Sequence, residues 1–254
     1  MTEAQRPDGE TVADAGVDPG SRKGNVVPEP RVTSMFDSIA PVYDRMNTLM
    51  TAGLDGRWRR AAVRATRLGR GGSALDVACG TGKLTAALAG AVGPEGRVVG
   101  IDLSPAMLEV ARGACAQLPG VELRLGNALA LPVEDGSFDA ATIAFGLRNL
   151  SSFEDGFREM ARTVRSGGRV VCLELSVPRP RFMGRFYRGV FRMMAPVVGT
   201  VFKRGAAYSY LPHSLDGFPP AEEIAATMRS VGLREVRFKR LALGAVALHV
   251  GTVA

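Results

Sequence analysis

The apolar run Leu75-Asp76-Val77-Ala78 opens directly into Cys79-Gly80-Thr81-Gly82, and Asp102 stands twenty residues beyond the second glycine. This spacing constrains the chain more than any other feature. A short buried strand, a two-glycine turn, a small-residue helix and a second strand ending in an acid form one edge of a parallel α/β sheet. Glycine lets backbone approach a ligand closely, and the following helix offers unpaired N–H groups at its start. An acid at the end of the second strand accepts hydrogen bonds from a ribose diol. Gly80, Gly82 and Asp102 are therefore candidate nucleoside-binding residues. The competing reading is a strand-to-helix turn with no ligand.

A dinucleotide fold needs G-x-G-x-x-G, and the third glycine position here is Thr85. With Asp76 at the front of the motif, the turn makes a poor pyrophosphate cradle. It suits a nucleoside ligand without phosphate, such as S-adenosylmethionine, better than a nicotinamide coenzyme.

At 254 residues the chain fits one domain with decorations. Its 46% hydrophobic and 22% charged residues are ordinary for a globular protein. The sequence shows no apolar run near the ~18 residues of a membrane span and no signal-peptide core, which points to a cytoplasmic protein. Cys79, Cys115 and Cys172 lack C-x-x-C spacing and read as reduced, buried hydrophobes. No metal site is expected. Residues 1–32 are rich in Gly, Pro, Asp and Glu and read as a disordered tail before a domain spanning 33–254. Structure is expected from about Ser34, with Met35, Phe36, Ile39, Ala40 and Tyr43 at helical spacing and a second, Arg-rich helix over 54–68.

Strands are predicted at 73–78, 97–101, 121–125, 138–145 and 168–175, alternating with helical or loop segments as a parallel sheet requires. Ser104-Pro105 marks one helix start, and Ser151-x-x-Glu154 reads as a capping box for another. Two further strands, 233–241 and 243–252, form a hairpin that places an antiparallel strand at the sheet edge. The fold class is thus α/β: a Rossmann-like seven-stranded sheet with its last strand antiparallel, the class I arrangement of S-adenosylmethionine-dependent methyltransferases, with a helical lid inserted over 175–217.

That insertion is chemically distinct. Between Leu175 and Leu215 there is no Asp or Glu, and its seven basic residues equal the chain's whole formal charge of +7. Seven of the fifteen Phe and Tyr residues also fall there. Arg181, Arg185, Arg188 and Arg192 share a helical stripe beside Phe182, Phe186, Val190 and Met193. A lid with solvated arginines and a helix resting on an anionic membrane fit this pattern equally. Nucleic-acid binding fits less well, because no module signature accompanies the charge.

Further motifs speak together: Met35-Phe36-Asp37-Ser38-Ile39-Ala40-Pro41-x-Tyr43-Asp44, Gly53-Leu54-Asp55-x-x-Trp58-Arg59, Phe145-Gly146-Leu147-Arg148-Asn149, Tyr208-x-Tyr210-Leu211-x-x-Ser214 and Gly244-Ala245-Val246-Ala247-Leu248-His249. With them the chain closely resembles the ubiquinone/menaquinone-biosynthesis C-methyltransferase family over residues 33–252. The resemblance implies C-methylation of a prenylated quinol (demethylmenaquinol to menaquinol), with Thr81, Asp102 and the pair Asn127-Ala128 contacting S-adenosylmethionine. It departs from the family at Ala144, where Ser or Gly is common, and at His213, where Glu is more usual.

A quinol ring becomes a carbon nucleophile when a phenolic proton, of pKa about 10, is removed. Arg148 and Asn149, just past the fourth strand, are the candidates to bind the developing phenolate. The competing role for Arg148 is a pair with Glu174. His213 and Tyr208 are secondary candidates for proton removal, and His249 reads as a core or edge histidine. The nearest functional alternative is a methyltransferase for another aromatic or polyketide acceptor. A dinucleotide-linked reductase and an RNA-binding protein stand further off.

Overall fold

The computed structural model describes residues 29–176 and 218–254. The tail up to 28 and the basic aromatic insertion, including the Arg181–Arg192 stripe, Tyr208 and His213, lie outside the described residues.

Three helices precede the sheet: α1 Glu29–Ile39, α2 Tyr43–Met50 and α3 Asp55–Thr66. Helix α1 starts five residues before the expected Ser34. Pro41 lies in the break before α2, as its missing N–H and fixed φ favour. Helices then alternate with strands β1 Ser73–Val77, α4 Lys83–Val92, β2 Arg97–Asp102, α5 Pro105–Cys115, β3 Val121–Leu125 and β4 Phe138–Ala144. A 3₁₀ turn over Leu147–Asn149, α6 Phe153–Thr163 and β5 Val164–Leu175 follow. After the insertion come α7 Ala221–Ser230, β6 Arg234–Leu241 and β7 Val246–Thr252.

The seven strands lie in the order β3-β2-β1-β4-β5-β7-β6. β1 pairs in parallel with β2 on one side and β4 on the other, so that Asp76 faces Gly100 and Thr142 across the two ladders. The strand order reverses at β1 and β4, and ligands of such sheets bind beyond the carboxyl ends at that reversal. β7 runs antiparallel to both β5 and β6. The reversed strand is therefore interior and the edge is β6, which corrects the edge placement expected from the sequence. The reason lies in the side chains. β7 (Val246-Ala-Leu-His-Val-Gly-Thr252) is buried along nearly its whole length, whereas β6 carries Arg234, Glu235, Arg237, Lys239 and Arg240 and keeps much of its surface in water.

Alternation along the strands feeds two apolar layers. Leu75, Val77, Ile101 and Ile143 pack under Phe157, Met160, Ile224 and Met228 on one face. Ala74, Val98, Val171 and Leu173 pack with Trp58, Leu84 and Leu88 on the other. A third cluster ties α1 and α2 to α5 through Ile39, Ala40, Met46 and Met107.

Ser104 caps α5 as expected, its Oγ accepting the Met107 N–H at 3.1 Å ahead of Pro105. The cap of α6 is Ser152, one residue later than the expected Ser151; its Oγ accepts the Asp155 N–H at 3.1 Å. The one-residue shift buries Phe153 and Phe157 on the same face of α6. All three cysteines are free and buried. Among the described residues no helix is long and apolar enough to cross a membrane, and no cluster of His, Cys, Asp and Glu could hold a metal ion.

Candidate active site

Beyond the carboxyl ends of β1, β2 and β4 lies an open cleft, the position where sheets of this kind bind ligands. Its floor is the turn between β1 and α4. Gly80 adopts φ +56, and a Cβ there would meet no protein atom within 4 Å, so the residue borders open cleft. Its N–H donates to Asp102 Oδ2 at 2.7 Å, while Asp102 Oδ1 accepts the Ser104 N–H at 2.9 Å. Backbone amides thus fix both Asp102 oxygens, and an ionised carboxylate so held keeps lone-pair capacity for a further donor. Burial pushes the Asp102 carboxyl above its ordinary value, and the Ser104 and Gly80 amides pull it back.

Beneath the turn, Asp76 is fully buried and accepts the hydroxyls of Thr85 (2.7 Å) and Thr142 (2.9 Å). Thr85 thus occupies the third glycine position as a partner for the buried acid. Burial nevertheless pushes the Asp76 carboxyl up to about 6.

Most residues singled out from the sequence converge here. Gly80, Thr81, Asp102, Asn127, Ala128 and Asn149 line the cleft. Gly82, at φ +79, sits behind them as the N-cap of α4. Met107 is both core and lining, joining the α1–α2 cluster while bordering the cleft. Asn127 Oδ1 accepts the Leu129 N–H at 2.9 Å, and its amide nitrogen donates to Glu29 Oε2 at 3.1 Å. Thr81 Oγ1 donates to Asp44 Oδ1 at 2.8 Å. Helices α1 and α2 therefore reach over the cleft, and Glu29, Val32, Thr33 and Phe36 contribute to its wall.

A smaller cavity adjoins the cleft, lined by Asn47, Met50, Thr51, Asp55, Trp58, Arg148 and Leu175; Tyr43, Arg59 and Phe145 line both spaces. Phe145, which borders both spaces, is carried on strained backbone. It stands at φ +60 and Ala78 at φ +51, left-handed conformations that are uncommon without glycine. Gly146 permits the close passage of these two turns, since a Cβ there would come within 2.7 Å of the Ala78 Cβ. So turned, the Phe145 ring stands 6.3 Å from Trp58 and 5.3 Å from the Arg59 guanidinium.

Arg148 lines the smaller cavity, with the Glu174 pairing that the sequence left open as its alternative role. Nη1 donates to Glu174 Oε1 and to the Phe145 carbonyl, each at 2.7 Å, and the Arg148 N–H reaches Glu174 Oε2 at 3.2 Å. Both side chains are almost wholly buried, at 5% and 1% exposure. His249 lies in the core of β7, its Nε2 donating to the Ala221 carbonyl at 2.9 Å, and burial pushes its pKa down to about 4.

Sequence reasoning set Tyr43 in the first helical pattern and Arg59 and Phe145 in the shared motifs, but gave none of the three a place in the site. For Arg59 a signal exists. Arg57, Arg60 and Arg64 of the same helix are exposed, but Arg59 falls in phase with buried Asp55, Ala62 and Thr66.

Comparison with known proteins bears on the fold and the family. Among solved structures, a possible histamine N-methyltransferase from Thermotoga maritima superposes with a TM-score of 0.62 at 20% identity, covering 87% of this chain and 99% of that one. A SAM-dependent methyltransferase from Aquifex aeolicus gives 0.53 at 19%, over 74% and 85%. At these identities the likeness concerns the fold. The ubiquinone/menaquinone biosynthesis C-methyltransferase UbiE of Geobacter sulfurreducens is 40% identical over 224 residues, 87% of this chain and 88% of that protein. A demethylmenaquinone methyltransferase of Bacillus cereus is 40% identical over 226 residues, 88% and 95% of the two chains. With residues 25–253 matching its family model, the chain belongs to the ubiE/COQ5 methyltransferase family.

Proposed function

We propose that this methyltransferase places a methyl group on a ring carbon of a reduced, prenylated quinone, converting demethylmenaquinol to menaquinol, with S-adenosylmethionine as donor. The observation that carries the reading is the pair of adjoining spaces: a cleft around Gly80, Thr81, Asp102 and Asn127 suited to a nucleoside, and an aromatic, cation-lined cavity sharing Tyr43, Arg59 and Phe145 with it.

When bound, S-adenosylmethionine would supply an electrophilic methyl group carried on a sulfonium. Gly80, Thr81 and Gly82 would present the turn that admits it, Asp102 would take the ribose hydroxyls, and Asn127 with Ala128 would face the base. On the acceptor, loss of a phenolic proton raises electron density at the neighbouring carbon. The proton on that carbon leaves once the new bond has formed, and aromaticity returns. Asn149, on the cleft wall, binds the ring oxygen. Arg148, held by Glu174, lends its positive potential from the adjoining cavity. Tyr208 and His213 are the candidates to take the phenolic proton. The acid-free stretch 175–215 supports a further contact, with the anionic membrane surface where prenylated quinols reside.

An isotope-labelled methyl-transfer assay on prenylated quinol in anionic vesicles tests this reading. Label should appear in a C-methylated quinol, Asp102→Ala should weaken donor binding, and neutral variants at Arg181, Arg185 and Arg188 should lose vesicle association. Equal methylation of a water-soluble phenol would move the assignment to another aromatic acceptor.

A further inference from the structure

The two arginines of the smaller cavity are held in different ways. Arg148 has a carboxylate oxygen at hydrogen-bond distance. Arg59 is also buried, at 9% exposure, but no carboxylate stands at hydrogen-bond distance from it, and its Nε has no hydrogen-bond partner among the described residues. Asp55, one turn before it in α3, forms an ion pair with that nitrogen at 3.8 Å, longer than a hydrogen bond. The same Asp55 oxygen also serves Lys83 Nζ at 3.6 Å. A buried N–H without an acceptor is costly in an apolar setting and is retained where something else supplies the acceptor.

The surroundings fix where that acceptor lies. The Phe145 ring under the guanidinium fixes its position, and Arg59 borders both the nucleoside cleft and the aromatic cavity. An anion meeting Arg59 therefore sits at the junction of donor and acceptor spaces. Arginine stays protonated throughout the working pH range and presents a planar fork of donors, which matches the delocalised charge of a ring oxyanion. The charged and titratable groups around it are Asp55 on its own helix, Tyr43 and Asp44 on α2, Lys83 on α4, Asp76 on β1 and Arg148 on the 3₁₀ turn.

We infer that Arg59 is a catalytic anion site: its guanidinium binds the ionised ring oxygen of the acceptor at the wall between the two spaces. The inference rests on the quinol reading above and names the group that favours the phenolate. No oxidant or further reactant is needed, since the phenolic proton passes to solvent or a base and returns after transfer.

The test uses the full-length protein and 4-nitrophenol, whose anion absorbs in the visible. Wild type should bind the nitrophenolate more tightly than the nitrophenol, so that the bound probe titrates below its free value. Arg59→Gln should abolish that preference and Arg59→Lys should keep part of it. With quinol as acceptor, Arg59→Gln should lower kcat at neutral pH by ~10²-fold, the usual scale for one oxyanion donor. The deficit should narrow as pH rises and the acceptor ionises unaided, while donor affinity stays at the wild-type value. A wild-type protein with no preference for the anion overturns the inference, and that measurement needs no variant to fold. An unchanged preference in Arg59→Gln, or a uniform loss at every pH, overturns it as well. An intact anion preference with no labelled quinol would remove the quinol assignment and leave the anion site standing.

Discussion

In the donor half of the cleft, backbone shapes the centre of the site: the Gly80 and Ser104 amides fix Asp102, and the turn before α4 forms the floor. In the acceptor half, side chains from α2, α3, the end of β4 and the end of β5 are brought together across more than a hundred residues of sequence. The first kind of site is centred on local turn geometry, which α1 and α2 complete from outside through Glu29 and Asp44. The second depends on buried charge and aromatic packing, so its failures are larger and harder to separate from failures of folding.

That contrast can be broken most sharply at Arg148. Removing one partner of a buried ion pair costs roughly 3–5 kcal/mol, because the other charge is left without compensation. Arg148→Ala should lose that much stability in urea unfolding through the stranded Glu174, and lost turnover alone would say little about chemistry. Arg148→Met combined with Glu174→Leu should recover most of the stability, and its turnover then reports the arginine's part in the reaction. A loss below ~1 kcal/mol in the single variant would fit a solvent-relaxed pair instead.

A smaller effect concerns the acid beneath the donor turn. Asp76 titrates near 6 in the fold against 3.8 in an open chain. Between those values only the unfolded state gives up its proton, so this group withdraws ~3 kcal/mol as pH rises from about 4 to 6. His249 has the opposite sign. Its pKa falls from 6.5 to about 4, so its contribution is complete above 6.5 and is lost as pH falls towards 4. The two slopes oppose each other across the shared window. Asp76→Asn should leave the histidine's rise exposed, with stability climbing by ~3 kcal/mol from pH 4 to 6.5. A flat profile in the variant would remove one of the two buried titrations.

Smallest is the local cap. Ser104→Ala removes the oxygen that accepts the Met107 N–H and should cost ~1 kcal/mol, read as a lowered Tm. Its effect should fall on stability and donor affinity and leave the acceptor KM unchanged. A shift confined to the acceptor KM would blur the boundary between the halves.

What could be read from the chain follows the same division. The glycine turn, Asp102 and the strand pattern were legible because each depends on neighbours within about twenty residues. The Ser152 cap was missed by one residue, because both serines satisfy the local rule and the burial of Phe153 and Phe157 selects between them. The interior position of β7 was missed because a hairpin pattern fixes pairing with β6 and says nothing of β5. Arg59 was hidden among four arginines of one helix; its phase with Asp55, Ala62 and Thr66 marks it as buried, and the tertiary contact with Phe145 gives that burial its place. The left-handed turns at Ala78 and Phe145 had no sequence signal, since neither is glycine.

Trp58 is the chain's single tryptophan, and it borders the acceptor cavity beside Phe145 and Arg59. Its fluorescence therefore comes from one place, the compartment where the ring would lie. An aromatic guest entering there should quench or shift that emission without any attached dye, whereas a ligand confined to the nucleoside side should change it much less. The protein carries its own optical reporter for the event that is hardest to follow with an oily substrate.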